Sequence, residues 1–262
     1  MKNIIHIHDE ICGHASNKLE TVVVYALKHH YQKLVYSEHC PLDDNKIIFR
    51  PSHDEIKDLR QRIDKFNKQY QGKLLIEFGY EAEYPKAHRA YFQNLVHDSK
   101  IDYLIFGNHF YGDQWKTHRL IMDCTHSKQD LDEYYEYAKD AISSGIFSLF
   151  AHPDIWLGSY HKWDDAAIKL TDDLIKLCIQ YDMPMGFNAN GMHRERDGFN
   201  YPSELFWKRI VGTKAKVIIE ADAHDLETLS EEWLALAQKE AVRIGLKSNL
   251  IDDIKLKYFK KK

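Results

Sequence analysis

Asn3-Ile4-Ile5-His6-Ile7-His8 is the first apolar run of the chain, and it ends in two imidazoles. Its β-branched residues read as a strand. Side chains alternate along a strand, so His6 and His8 point to the same face, where two donors could hold one ion. Six further short runs rich in apolar, β-branched or aromatic residues follow: Lys33–Glu38, Lys73–Gly79, Tyr103–Gly107, Phe147–Ala151, Pro184–Ala189 and Lys216–Ala221. Longer polar stretches with helical spacing separate them. Leu59, Ile63, Phe66 and Tyr70 recur at intervals of three and four, as do Leu131, Tyr134, Tyr135 and Ala138. Leu170, Leu174, Ile175 and Cys178 mark another helix, and Leu234, Ala237, Ala241 and Ile244 a last one. Ser52-x-x-Glu55 and Ser203 have the residue types of helix starts.

Strands alternating with helices at this spacing predict a parallel α/β sheet. Seven such units in 262 residues suggest one domain over residues 1–262, a distorted TIM-like barrel of about seven strands. A doubly wound open sheet is the alternative. No Gly-x-Gly-x-x-Gly or Gly-Lys-Ser/Thr follows a strand, which leaves nucleotide-binding readings weak.

The strands deliver polar groups at their C-terminal ends. They are His6 and His8, Glu38 and His39, Glu81, Asn108 and His109, His152 and Asp154, Asn188 and Asn190, then Asp222 and His224. Active sites of α/β barrels lie at this face. A lone histidine is usually structural, but ligand-capable groups from nearly every strand are hard to obtain by chance. Imidazoles and carboxylates together suit Zn, Mn or Fe rather than Ca or Mg alone.

Composition narrows the function classes. The formal net charge is −4, whereas a nucleic-acid-binding domain is usually basic. The chain carries 16 His but only 12 Gly. Average usage would give roughly 18 Gly, so histidine placement is the unusual feature. The longest apolar stretches, such as 146–151, are far short of the roughly 20 residues that span a bilayer. No secretory signal is visible. Cys12, Cys40, Cys124 and Cys178 form no C-x-x-C pair and suit a reducing cytoplasm. The expectation is a cytoplasmic protein without nucleic-acid, membrane or obligatory protein partners.

These motifs in this order resemble the PHP (polymerase and histidinol phosphatase) superfamily, and within it the histidinol-phosphatase branch. His6-Ile-His8-Asp-Glu-Ile-Cys12-Gly-His14-Ala15 is similar to the family's H-x-H-x-x-x-C-x-H-A. Ser37-Glu-His39-Cys-Pro41, Gly79-Tyr-Glu81, Asp102-Tyr through Gly107-Asn-His109-Phe, Ala151-His152-Pro-Asp154 and Asp222-Ala-His224 continue the match. Asn188-Ala-Asn-Gly191-Met-His-Arg194, with Tyr201-Pro202, resembles the stretch before the last motif. The resemblance implies a distorted (βα)7 barrel holding three divalent transition metal ions. It implies His6, His8, Glu81 and Asp222 around the first ion. Glu81 as a bridge, with His109 and His152, would hold the second, and His14, His39 and His224 the third.

The chain departs from the family pattern at several places. Asp9 stands where Thr or Ser is common, Asn108 where Ser is frequent, Gly186 where Glu often precedes the Asn, and Ala221 where Ser is usual. His193 occupies the place of the family Arg, and Arg194 comes one residue late. No departure removes a ligand of the implied set.

The chemistry so implied is hydrolysis of a phosphomonoester, most naturally L-histidinol phosphate in histidine biosynthesis, by a metal-activated hydroxide. A phosphate dianion also needs cationic positioning groups. Arg194 is the leading candidate, followed by Arg196 and His193, against the alternative that these are solvated loop residues. Asp154 could protonate the leaving alkoxide or serve a structural role. Glu38 could accept an imidazole N–H, Glu83 could be a spare ligand, and Cys12 and Cys40 could ligate. Packing is as good a reading for Glu38 and the better one for Glu83, Cys12 and Cys40. Phe110, Tyr111, Trp115, Tyr160, Trp163 and Trp207 could wall a pocket or fill the core. Competing readings are an amidohydrolase-like metallohydrolase, which often bridges its metals with a carboxylated lysine, and a non-catalytic metal-binding module. Glu81 at the bridge and a full ligand set favour the phosphatase.

Overall fold

The computed structural model describes residues 2–42, 49–97, 101–110, 120–121, 127–193 and 201–254, with the side chain of residue 193 excepted. Seven parallel strands stand in sequence order: β1 (Asn3–Ile7), β2 (Lys33–His39), β3 (Leu75–Ala82), β4 (Tyr103–Phe106), β5 (Leu149–Phe150), β6 (Met185–Asn188) and β7 (Val217–Glu220). Helices α1 (Leu19–Lys28), α2 (His53–Gln69), α3 (Arg89–His97), α4 (Lys128–Ser143), α5 (Leu157–Tyr160), α6 (Asp165–Gln180), α7 (Glu204–Trp207) and α8 (Glu231–Ile244) lie between and after them. The first and last strands meet. Ala221 N donates to Ile5 O at 2.8 Å, Ala223 N to His6 O at 3.0 Å and His8 N to Ala223 O at 3.0 Å. These bonds close the sheet, which rules out the doubly wound alternative and leaves the seven-stranded distorted barrel.

The core has two layers because each strand is buried on both faces. Ile5, Val35, Tyr103, Ile105, Leu149, Ala151 and Ile218 fill the lumen, joined at one end by Ile254. Their alternates, among them Ile4, Leu34, Leu104 and Phe150, pack outward with the apolar sides of the helices. Covered on both faces, parallel strands read as nearly continuous apolar runs, which is how the sequence displays them. Helix starts follow their local chemistry. Ser52 and Glu55 form a capping box at α2, and Asp164 accepts from Ala166 N and Ala167 N at α6.

Residues 249–254 seal the N-terminal end of the barrel. Val217 N donates to Asn249 O at 2.9 Å and Ile251 N to Val217 O at 2.8 Å. Lys33, buried at the foot of β2, pairs with Glu77 at 2.8 Å and with Asp253 at 2.9 Å. Two strands depart most from the sequence expectation. β3 continues through Glu81 to Ala82, and β5 shrinks to two residues. Both follow from register: β3 is bonded along its length to β2, whereas β5 has neighbours for only a short overlap. Among the described residues no helix is long and apolar enough to cross a membrane.

Candidate metal centre

The C-terminal ends of the strands carry the strand-end residues named from the sequence. Three of them leave ordinary backbone geometry: His6 (φ 71°), His152 (φ 30°) and Asp222 (φ 45°). Non-glycine residues rarely adopt positive φ, and such strain concentrates at functional sites. At His6 the cause is a bulge, because the register with β2 shifts between Ile5 and Ile7. Simple alternation is therefore not what aims this pair. The bulge re-aims His6, and its Nε2 lies 3.0 Å from His8 Nε2.

Glu81 sits at the middle of the cluster. Its Oε2 is 3.6 Å from His6 Nε2 and from His8 Nε2, and 3.1 Å from His39 Nδ1. Its Oε1 is 2.9 Å from His152 Nε2 and 3.2 Å from His109 Nε2. Asp222 Oδ1 lies 3.3 Å from His8 Nε2 and 3.7 Å from His6 Nε2. Two donors bound to one tetrahedral ion at about 2.0–2.1 Å stand about 3.4 Å apart. The observed separations are those of atoms converging on shared points, so the donor set fits divalent transition metals.

His6, His8 and Glu81 converge, with Asp222 beside them, and Glu81, His109 and His152 converge as a second group. Around the third point the structure brings together His8, His39 and His224, and separately Cys12, His14 and His224. His14 Nε2 and His224 Nε2 are 2.9 Å apart. The Cys12 sulfur thus lies within 4.8 Å of the His14 and His224 donors, although burial pushes its thiol up to about 12.

The electrostatics suit ligation. Burial and the neighbouring His224 lower His8 to about 3 and His14 to about 4, and burial with His8 beside it holds His39 well below the usual imidazole range. Their lone pairs are therefore free. Burial opposes ionisation of Glu81 and Asp222, but the surrounding imidazoles outweigh it and hold both well below the usual carboxylate range. Burial likewise opposes the charged form of His109, yet Glu81 and Glu83 raise it to about 10. The carboxylates here demand positive charge, which a proton supplies and a cation could replace.

Neighbouring groups orient these donors. Glu83 Oε1 lies 2.8 Å from His109 Nδ1, and its other oxygen pairs with Arg50. Both oxygens are engaged, so Glu83 holds His109 in place. Asn188 Nδ2 donates to Asp222 Oδ2 at 2.9 Å. Glu38 Oε1 accepts from Asp9 N at 2.6 Å and lies 3.6 Å from His8 Nδ1, beyond hydrogen-bond reach. Glu83→Gln is expected to cost about 10–100-fold in metal affinity by loosening His109. Zinc titration of the metal-stripped variant measures this, and an unchanged affinity would deny Glu83 its orienting part.

A cavity of about 190 Å³ opens over the cluster, walled by Phe49, Arg50, Phe110, Leu120, Ile155 and Tyr201. Of the aromatics considered from the sequence, Phe110 lines it, whereas Tyr160, Trp163 and Trp207 pack into the core. Asp154 is buried outside this lining. Its Oδ2 accepts from Ser203 N at 2.6 Å and from Trp207 Nε1 at 2.9 Å, and burial pushes it up to about 7. Arg194, Arg196, Tyr111 and Trp115 lie outside the described residues, as does the side chain of His193. Two participants were missed in the sequence. Arg50 carried no signal, because its partner Glu83 is distant in the chain. Glu220 did carry one: it is a single carboxylate in the apolar strand Val217-Ile-Ile-Glu220, two residues before Asp222.

A family model for the PHP domain matches residues 5–190, and the chain belongs to that family. A curated relative from Deinococcus radiodurans, named probable histidinol-phosphatase, is 22% identical over 224 residues, covering 84% of this chain and 85% of its own length. Among solved structures, histidinol phosphate phosphatase from Lactococcus lactis, complexed with Zn, L-histidinol and phosphate, superposes with a TM-score of 0.69 at 14% identity over 93% of this chain and 94% of its own. A structure from Listeria monocytogenes named for histidinol phosphatase gives a TM-score of 0.68 at 14% identity, over 89% of this chain and 99% of its own.

Proposed function

We propose that this protein is a metal-dependent phosphomonoesterase of small phosphate esters, with L-histidinol phosphate its favoured substrate, acting as one domain over residues 1–262. The observation that carries this is the pair of buried carboxylates, Glu81 and Asp222, gathering imidazoles from several strands at the floor of a small cavity. Support for the substrate comes from the Lactococcus relative, whose complex contains Zn, L-histidinol and phosphate. Three divalent ions, Zn, Mn or Fe, would be held by His6, His8, His14, His39, Glu81, His109, His152, Asp222 and His224. Bound there, such ions supply water activated near neutral pH and neutralise phosphate oxygens. The chain's own groups do the rest. Glu81 offers one oxygen to each of two donor groups and so sets their spacing. Glu83 keeps His109 turned toward it, and Asn188 holds Asp222. Arg50 adds a cation to the cavity wall. Asp154, bonded to Ser203 and Trp207, tethers the segment that carries Tyr201 to the cavity rim. Arg194, Arg196 and His193 are the proposed phosphate contacts from the adjoining loop. Among the described residues no lysine lines the cavity, which argues against an amidohydrolase-like bridge.

Protein purified without chelator should contain close to three ions per chain by elemental analysis. Across a panel of phosphomonoesters, kcat/KM is expected to be highest for histidinol phosphate. Absence of turnover on every member by the metal-loaded protein would sink the phosphatase reading. A better substrate of another kind would retain the class and replace histidinol phosphate.

A further inference from the structure

Glu220 is fully buried at the end of β7, and its carboxylate touches β1 and the residue two positions past β5. Its Oε2 lies 2.9 Å from His6 Nδ1 at the β1 bulge. Its Oε1 accepts the His152 backbone N–H at 2.8 Å, at the end of β5. Between β5 and β7 stands β6, where Gly186 leaves a gap. A Cβ on Gly186 would lie 2.3 Å from Glu220 Cδ and Oε1 and 2.7 Å from Oε2. No side chain at position 186 can coexist with the carboxylate where it now is. Gly186 and Asn188 pair in register with Ile218 and Glu220, so the gap and the carboxylate face the same side of the sheet.

We propose that Glu220 is a positioning residue for the metal centre, and that Gly186 is bare because the Glu220 carboxylate occupies the space its side chain would fill. This rests on the metal-dependent reading above. By accepting the Nδ1 proton of His6, Glu220 selects the tautomer whose Nε2 lone pair faces His8, Glu81 and Asp222. By holding the His152 N–H it pins that residue at its positive φ and keeps Nε2 on Glu81. One carboxylate thereby ties His6, in the first donor group, to His152, in the second. The work is done by a charge at one point in the lumen, and β6 and β7 both border that point. A carboxylate carried at position 186, with position 220 bare, would reach the same place.

The test is zinc titration of metal-stripped protein, with far-UV circular dichroism to verify folding. Glu220→Gln, which keeps shape and loses charge, is expected to weaken binding about 10–100-fold. Glu220→Gly should weaken it further. Gly186→Glu combined with Glu220→Gly should restore affinity to within about tenfold of the parent. Gly186→Glu alone sets two carboxylates in one space and should lower the thermal midpoint of the metal-stripped protein. If Glu220→Gln binds zinc like the parent, or the folded double variant binds no better than Glu220→Gly, the inference is overturned. Those outcomes leave the phosphatase reading standing. A parent that binds zinc but hydrolyses no phosphomonoester removes that reading and leaves the role of Glu220 intact.

Discussion

Glu81→Ala is expected to reduce phosphomonoester turnover by more than about 10³-fold, with a simultaneous loss of bound metal. The reason is its double membership. Glu81 is shared by the group containing His6 and His8 and the group containing His109 and His152. Its two oxygens divide between those sets at 2.9–3.6 Å. Removing any single imidazole leaves other donors to the same ion, whereas removing Glu81 takes a ligand from two sites together. It also leaves His109 with Glu83 alone to balance its charge. Elemental analysis and kcat for p-nitrophenyl phosphate, with circular dichroism on the same preparation, measure the effect. A folded variant that retained parental metal content and turnover would refute the shared-ligand assignment.

The second large effect concerns stability. Gly79→Ala is expected to cost about 3 kcal/mol, from forced overpacking against a part that cannot yield. A Cβ on Gly79 would lie 2.2 Å from Tyr103 O in the adjacent strand and 2.7–2.8 Å from the Tyr103 ring. That ring fills the lumen, and its hydroxyl donates to Tyr36 O on β2. Tyr103 therefore reaches β2 across the bare position in β3, and glycine is what lets it pass. For a chain of this size the thermal midpoint should fall by roughly 6–12 °C. Calorimetry of the metal-stripped proteins checks it, and a shift under about 2 °C would show that β4 moves aside at little cost.

The strand order, the barrel and the floor of the site could be read from the sequence because they rest on local signals. Apolar runs alternated with helical spacing, and nearly every run ended in a group able to bind metal. The structure brings His6, His8, Glu81, His109, His152, Asp222 and His224 to one end of the barrel. What could not be read depends on pairing across strands. The bulge at His6 arises from a register shift against β2, and nothing in Ile5-His6-Ile7 announces it. Gly79 looked like part of a motif, and its physical reason is Tyr103, 24 positions later in the chain and opposite it in register. Gly186 looked like a departure from a family pattern, and only the Glu220 carboxylate beside it explains the space. Arg50 and Glu83 find each other through side chains alone.

The closure of the barrel by its first and last strands sets a timetable for the newborn chain. His6 meets Glu220 across 214 positions, and His14 meets His224 across 210. While a ribosome is still making β6, the helices and inner strands can already associate, but the N-terminal imidazoles have no Asp222 or His224 to face. Asp222 and the donor groups that contain His224 are thus completed only once the chain has passed β7, whereas the residues of the other two groups are made earlier. A nascent chain stalled before β7 should therefore lack Asp222 and His224 and bind fewer ions than the full chain.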